Sequence, residues 1–183
     1  MSKILLLLAP GFEEIEALGT CDVLRRLDMD VTTAALDGRE VAGAHGMKIV
    51  ADAALKGLDT APFDAVVLPG GMPGAVNLLA AKDLVADFAR RGKVTAAICA
   101  APIVLSAAGV LEGRTFTMYP GFGKYLRPGE KPTCRMVESD GTAVTGKGPG
   151  ATFLFAAAVA RALGIAPAAA DEVLASMFAA AAE

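Results

Sequence analysis

The feature that most restricts how this 183-residue chain can fold is an alternation of short, continuous apolar runs with helix-length segments. The runs at residues 3–9, 30–36, 65–68 and 94–98 read as strands. They lack the strict in–out alternation of a half-solvated sheet, so both of their faces need covering. Segments 12–28, 81–91 and 100–108 read as helices. This βαβ rhythm predicts an α/β fold: a doubly wound, mostly parallel sheet with helices on both faces and right-handed crossovers. Residues 111–145 break the rhythm, with short strands expected at 114–117, 133–137 and 143–145 around Pro- and Gly-rich turns. Helices over 150–163 and 167–180 close the chain, the last an Ala-rich packing helix. No linker or internal repeat divides residues 1–183, which read as a single domain.

Composition narrows the function classes. Hydrophobic residues are 54% and charged residues 20% of the chain, enough for a substantial core. The net charge of −3, with no basic run longer than a pair, argues against nucleic-acid or anionic-membrane partners. No stretch approaches the ~20 apolar residues of a membrane span. The opening MSKILLLLAPGFEE reads as a buried first strand, because its apolar run is short and Gly11-Phe12-Glu13-Glu14 follows in place of a cleavage site. Three cysteines without paired spacing point to free thiols in a reducing, cytoplasmic setting.

In a doubly wound sheet, ligands gather at the carboxyl ends of the strands. Three strand ends stand out: Ala9-Pro10-Gly11, Pro69-Gly70-Gly71 and Cys99. The stretch Ala97-Ile98-Cys99-Ala100-Ala101 places a cysteine between strand and helix with small neighbours, the form of a nucleophile elbow. A helix starting at Ala100 would lower the thiol pKa and supply N–H groups to an oxyanion. Gly70-Gly71 would bring a second backbone donor close. The plainer alternative is a buried cysteine serving as a small hydrophobe. Cys21 and Cys134 have no comparable setting and read as structural.

The first helix adds a carboxylate. Phe12, Gly19, Val23 and Leu27 form one apolar stripe with Glu16 inside it, Glu13 at its flank and Glu14 nearly opposite, on the face expected to be solvated. A buried Glu16 would carry a raised pKa and could donate a hydrogen bond to a thiolate. The alternative is escape to solvent or pairing with Arg26. Other motifs carry less. GTAVTGKG has the G-x₄-G-K of a phosphate loop, but Gly148 stands where Mg²⁺ needs Ser or Thr. PGGMPGA lacks dinucleotide spacing. The cysteines and His45 lack metal-ligand spacing, so neither metal nor cofactor is expected.

FEEIEALGTCDVLRR, FDAVVLPGGMPGA, AAICAAP and GKGPGATFLFA follow one another in the order seen in the ThiJ/PfpI family, and the chain most resembles its deglycase-type and bacterial ThiJ-like members. The resemblance implies a flavodoxin-like homodimer. It implies Cys99 as the nucleophilic, oxidisable cysteine, Glu16 as a protonated partner, and Gly71 and Ala100 as oxyanion donors. Ala100 replaces the histidine that follows the cysteine in family peptidases. Tyr119, in TFTMYP, stands where some relatives carry a histidine and would line the site with Gly70. The one histidine, His45, precedes the elbow and reads as a surface-loop residue. Neither a peptidase nor a glutamine amidotransferase is therefore expected. The implied function is a cofactor-free, glutathione-independent glyoxalase or deglycase acting on a small aldehyde or a glycated protein. The alternative is an oxidative-stress sensor or redox-regulated chaperone in which Cys99 becomes a sulfinate. A role in thiazole-phosphate synthesis rests on the ThiJ name alone.

Overall fold

A computed structural model describes residues 1–179. Its main sheet is built from β1 (Lys3–Leu8), β2 (Asp30–Ala35), β5 (Ala53–Ala54), β6 (Ala65–Leu68), β7 (Val94–Ile98), β8 (Val137–Asp140) and β9 (Ala143–Gly146). A separate two-stranded hairpin joins β3 (Glu40–Ala42) to β4 (Lys48–Val50). The helices are α1 (Glu14–Arg26), α2 (Gly74–Asn77), α3 (Lys82–Arg90), α4 (Pro102–Ala107), α5 (Thr152–Ala162) and α6 (Pro167–Ser176). The spatial order is β5-β2-β1-β6-β7-β9-β8, and only β8 runs antiparallel, against β9.

The five central strands follow the flavodoxin order, with its switch point between β1 and β6. The apolar runs explain this arrangement. Every residue of β6 and β7 is buried, as is β1 from Ile4 onward, and only strands covered on both faces can be so continuously apolar. Helices α1, α5 and α6 pack together, as do α2, α3 and α4. The mostly parallel sheet expected from the sequence is present.

Three expectations shift. Residues 114–117 form no strand: Thr115 N–H donates to Asp140 Oδ2 and Thr117 N–H to Thr145 Oγ1, so side chains satisfy this backbone. A single bridge joins Thr117 to Thr133. The strand expected at 133–137 lies at Val137–Asp140, paired with β9. The third is the start of α4, at Pro102 and not Ala100. The hairpin Glu40–Ala42/Lys48–Val50 went unpredicted because each strand is three residues long. The final helix is described to Ser176, and residue 180 of the expected helix lies outside the described residues.

Candidate active site

The turns after β1, β6 and β7 meet at the carboxyl ends of the central strands. Glu13 N–H donates to Gly70 O at 2.9 Å, and Gly74 N–H to Gly11 O at 3.1 Å. The contact is close enough to require glycine. A Cβ on Gly71, which has φ +86°, would lie 2.4 Å from Glu13 N. One on Gly70 would lie 2.7 Å from Cys99 Cβ, 2.8 Å from Glu16 Oε2 and 3.0 Å from Ala100 N. A side chain on Gly70 would thus collide with both the thiol-bearing turn and the carboxyl group.

Cys99 follows β7 directly, in the left-handed region at φ +63°. That is an uncommon conformation for a residue with a Cβ, and such strain clusters at functional turns. Its neighbours hold it there: Cys99 N–H donates to Gly146 O at 2.9 Å, and Tyr119 N–H donates to Cys99 O at 2.8 Å. Ala97, Ala100 and Ala101 are buried, and the crowded turn leaves little room for larger side chains. Cys99 itself is 9% exposed.

Glu16 is wholly buried. Its Oε2 accepts the Gly70 N–H at 2.7 Å, while Oε1 has no hydrogen-bond partner among the described residues. Burial pushes its pKa up to about 7, against opposing contributions from the Gly70 N–H and from Cys99. Arg26 is occupied elsewhere, bonded through Nε to Asp22 at 2.7 Å, so it does not neutralise Glu16.

The thiol departs from the sequence expectation. Burial, and then the negative charge of Glu16, push the Cys99 thiol up to about 12. The N–H groups of Gly71 and Ala100 act in the opposite direction but do not outweigh them. The physical reason is that α4 is short and begins three residues after the sulfur, while desolvation acts on the sulfur directly. Below about pH 7 both groups hold a proton and above it the pair holds one, so the two titrate as a coupled pair. A thiolate forms when that proton sits on Glu16, which then presents an O–H in place of a negative charge.

Glu14 corrects the helical wheel. It is 4% exposed and not solvated. Residues 43–47 fold over it: Oε1 accepts N–H groups from His45 at 2.8 Å and Met47 at 3.3 Å, and Oε2 meets His45 Nδ1 at 2.9 Å. Burial raises its pKa, but the His45 side chain and backbone N–H donors outweigh this and leave it below the ordinary value. Two β-prone runs flanking Gly43 and Gly46 were the signal for this hairpin. His45 does lie in a surface turn, with its side chain 66% exposed. Tyr119 sits beside the elbow, partly exposed and stacked edge-on to Phe122. Cys21 is buried on α1 and Cys134 is exposed, and neither approaches the elbow turn through a hydrogen bond.

The molecule is thus a flavodoxin-ordered α/β protein with a cysteine at a strained strand–helix elbow and a carboxylic acid buried beside it. It belongs to the DJ-1/PfpI family, whose model matches residues 2–162. It is 40% identical over 170 residues to protein dj-1beta of Drosophila melanogaster, covering 89% of this chain and 90% of that one. It is 35% identical to the glutathione-independent glyoxalase DJR-1.2 of Caenorhabditis elegans, covering 85% of this chain and 84% of that one. Among solved structures, a DJ-1 superfamily protein of Salmonella typhimurium superposes with a TM-score of 0.90 at 40% identity, over 97% of this chain and 98% of that one.

Proposed function

We propose that this protein converts small reactive 2-oxoaldehydes, methylglyoxal first among them, to 2-hydroxy acids without glutathione or a metal. The observation that carries this reading is a carboxyl group, buried and raised to about 7, beside one thiol on a strained turn. The relative named as a glutathione-independent glyoxalase supports it.

The Cys99 thiolate attacks the aldehyde carbon and forms the C–S bond of a hemithioacetal. The N–H groups of Gly71 and Ala100 receive the oxyanion. Glu16, having given its proton to that oxygen, is a carboxylate and removes the hydrogen from the same carbon. Reprotonation at the neighbouring carbon gives a 2-hydroxyacyl thioester. The first carbon is oxidised and the second reduced within one molecule, so no external oxidant or reductant is needed. Water then cleaves the thioester, releasing lactate and restoring the thiol. Attack on a glycated side chain would begin with the same thiolate. Three unpaired cysteines support a cytoplasmic site of action. Ile15 and Leu18 on α1, with Phe153 on α5, leave an exposed apolar patch suited to a homodimer contact.

Lactate formation from methylglyoxal tests the proposal. Cys99→Ser abolishes it, and Glu16→Gln lowers kcat by ~10²–10⁴-fold. Full activity in either variant contradicts the mechanism. One observation favours a second reading: the partnerless Glu16 Oε1, once protonated, could donate to a Cys99 sulfinate. Mass spectrometry after mild peroxide separates the two. Addition of two oxygens at Cys99 alone supports the sensor, whereas equal oxidation of all three cysteines removes it.

A further inference from the structure

A second cluster of polar groups lies at the start of α1, where the turn between β3 and β4 covers the helix. Glu14 Oε2 and Glu13 Oε1 approach a single nitrogen, His45 Nδ1, at 2.9 Å and 3.5 Å. One ligand-type atom from each of the three residues falls within 4.8 Å of the other two. From this arrangement we propose a binding site for a zinc-like divalent cation, held by Glu13, Glu14 and His45. It is independent of the carbonyl chemistry and runs against the expectation drawn from cysteine and histidine spacing.

The geometry suits a small tetrahedral ion. Zinc holds nitrogen and oxygen ligands at ~2.1 Å, which places them about 3.4 Å apart at the corners of a tetrahedron. The two distances to Nδ1 fall on either side of that value, and the carboxylate oxygens lie within 4.8 Å of each other, so an ion replacing the Nδ1 proton would draw the three ligands in around it. Two carboxylates and a neutral imidazole balance a divalent charge. The carboxylate is also held ready. Both backbone donors bond Glu14 Oε1, which leaves Oε2 turned to the ring, and such outer partners orient metal ligands. The backbone closes tightly behind it, for a Cβ on Gly43 would lie 2.3 Å from the Glu14 carboxyl group. The exposed edge of His45 leaves room for water to complete the coordination. An imidazole ligand favours zinc and its neighbours over calcium or magnesium.

Calorimetric titration of the native chain with Zn²⁺, and with Mg²⁺ as a control, tests the site. The expected result is one equivalent of Zn²⁺, no uptake of Mg²⁺, and a Zn²⁺-dependent shift of the imidazole resonances of His45, the only histidine in the chain. His45→Ala weakens binding by at least the ~10–100-fold that loss of an outer partner costs. Because His45→Ala also disturbs the turn, Glu13→Gln serves as a second variant. The Glu13 carboxylate makes no hydrogen bond among the described residues, and its replacement must also weaken binding. Cys99→Ser leaves binding unchanged. Failure to bind Zn²⁺, binding untouched by both cluster variants, or binding lost in Cys99→Ser would each overturn the proposal.

Discussion

Glu14 and Glu16 sit two residues apart in the first turn of one helix, both out of water, yet the protein treats them oppositely. Glu14 receives two backbone N–H groups and an imidazole, and its pKa falls. Glu16 receives a single N–H at Oε2, and its pKa rises to about 7. Glu14 lies just beneath a surface hairpin and Glu16 deep in the fold, so the depth of burial and the supply of donors together decide which carboxyl keeps its proton. Glu14 is a structural anion that ties down the hairpin, and Glu16 holds a proton that can be moved.

The largest expected effect follows from Glu16. Its folded pKa lies above the ordinary 4.5, so the folded state binds more protons than the unfolded one between about pH 4.5 and 7. Stability contributed by this group is present below that window and lost across it. Glu16→Gln removes the slope. Denaturant unfolding should find the variant more stable than the native chain at pH 8, by up to about 3 kcal/mol, with the gap closing below pH 5. Equal stabilities at both pH values would mean that the two glutamates do not differ as described.

Gly70→Ala comes next. Its methyl group would enter the space between Cys99 and Glu16, with an overpacking cost of ~1–3 kcal/mol. Turnover should fall more steeply than stability, because the methyl group separates the sulfur from its proton source. Native turnover in a folded Gly70→Ala variant would show that the close contact is unimportant.

Glu14→Gln should have a smaller effect of opposite sign. A lowered pKa contributes stability above the unfolded value, and that contribution is lost as pH falls through the folded pKa. The variant should be less stable than the native chain at neutral pH and equal to it in strong acid, as read by thermal unfolding. The smallest effect belongs to Arg26→Ala, which breaks an exposed i,i+4 pair worth ~0.3–0.5 kcal/mol. The Glu16 titration should not move in it, and a clear shift would revive the ion pair with Arg26.

The same comparison marks what the sequence could reveal. The apolar stripe of α1 runs through Glu16, so its burial was legible from helical periodicity. Cys99 was legible from the small residues on either side of a strand end. The burial of Glu14 was not, because on the wheel it faces away from the sheet and is covered only by a hairpin of two three-residue strands. Those strands are too short for periodicity to register, and the 31-residue separation of Glu14 and His45 gives no local sign of their contact. The thiol was misjudged for a related reason. Its position before a helix suggested acidification, while desolvation and the adjacent carboxylate depend on packing that the sequence does not display.

The most direct test of the account is a titration of the Glu16 carboxyl carbon by NMR, with Glu16→Gln to assign the signal. The account predicts that Glu16 keeps its proton to about pH 7 or beyond, and that the same transition perturbs the Cys99 β-carbon. A Glu16 midpoint in the ordinary carboxylate range, with Cys99 silent, would contradict the coupling of carboxyl and thiol and the chemistry built on it.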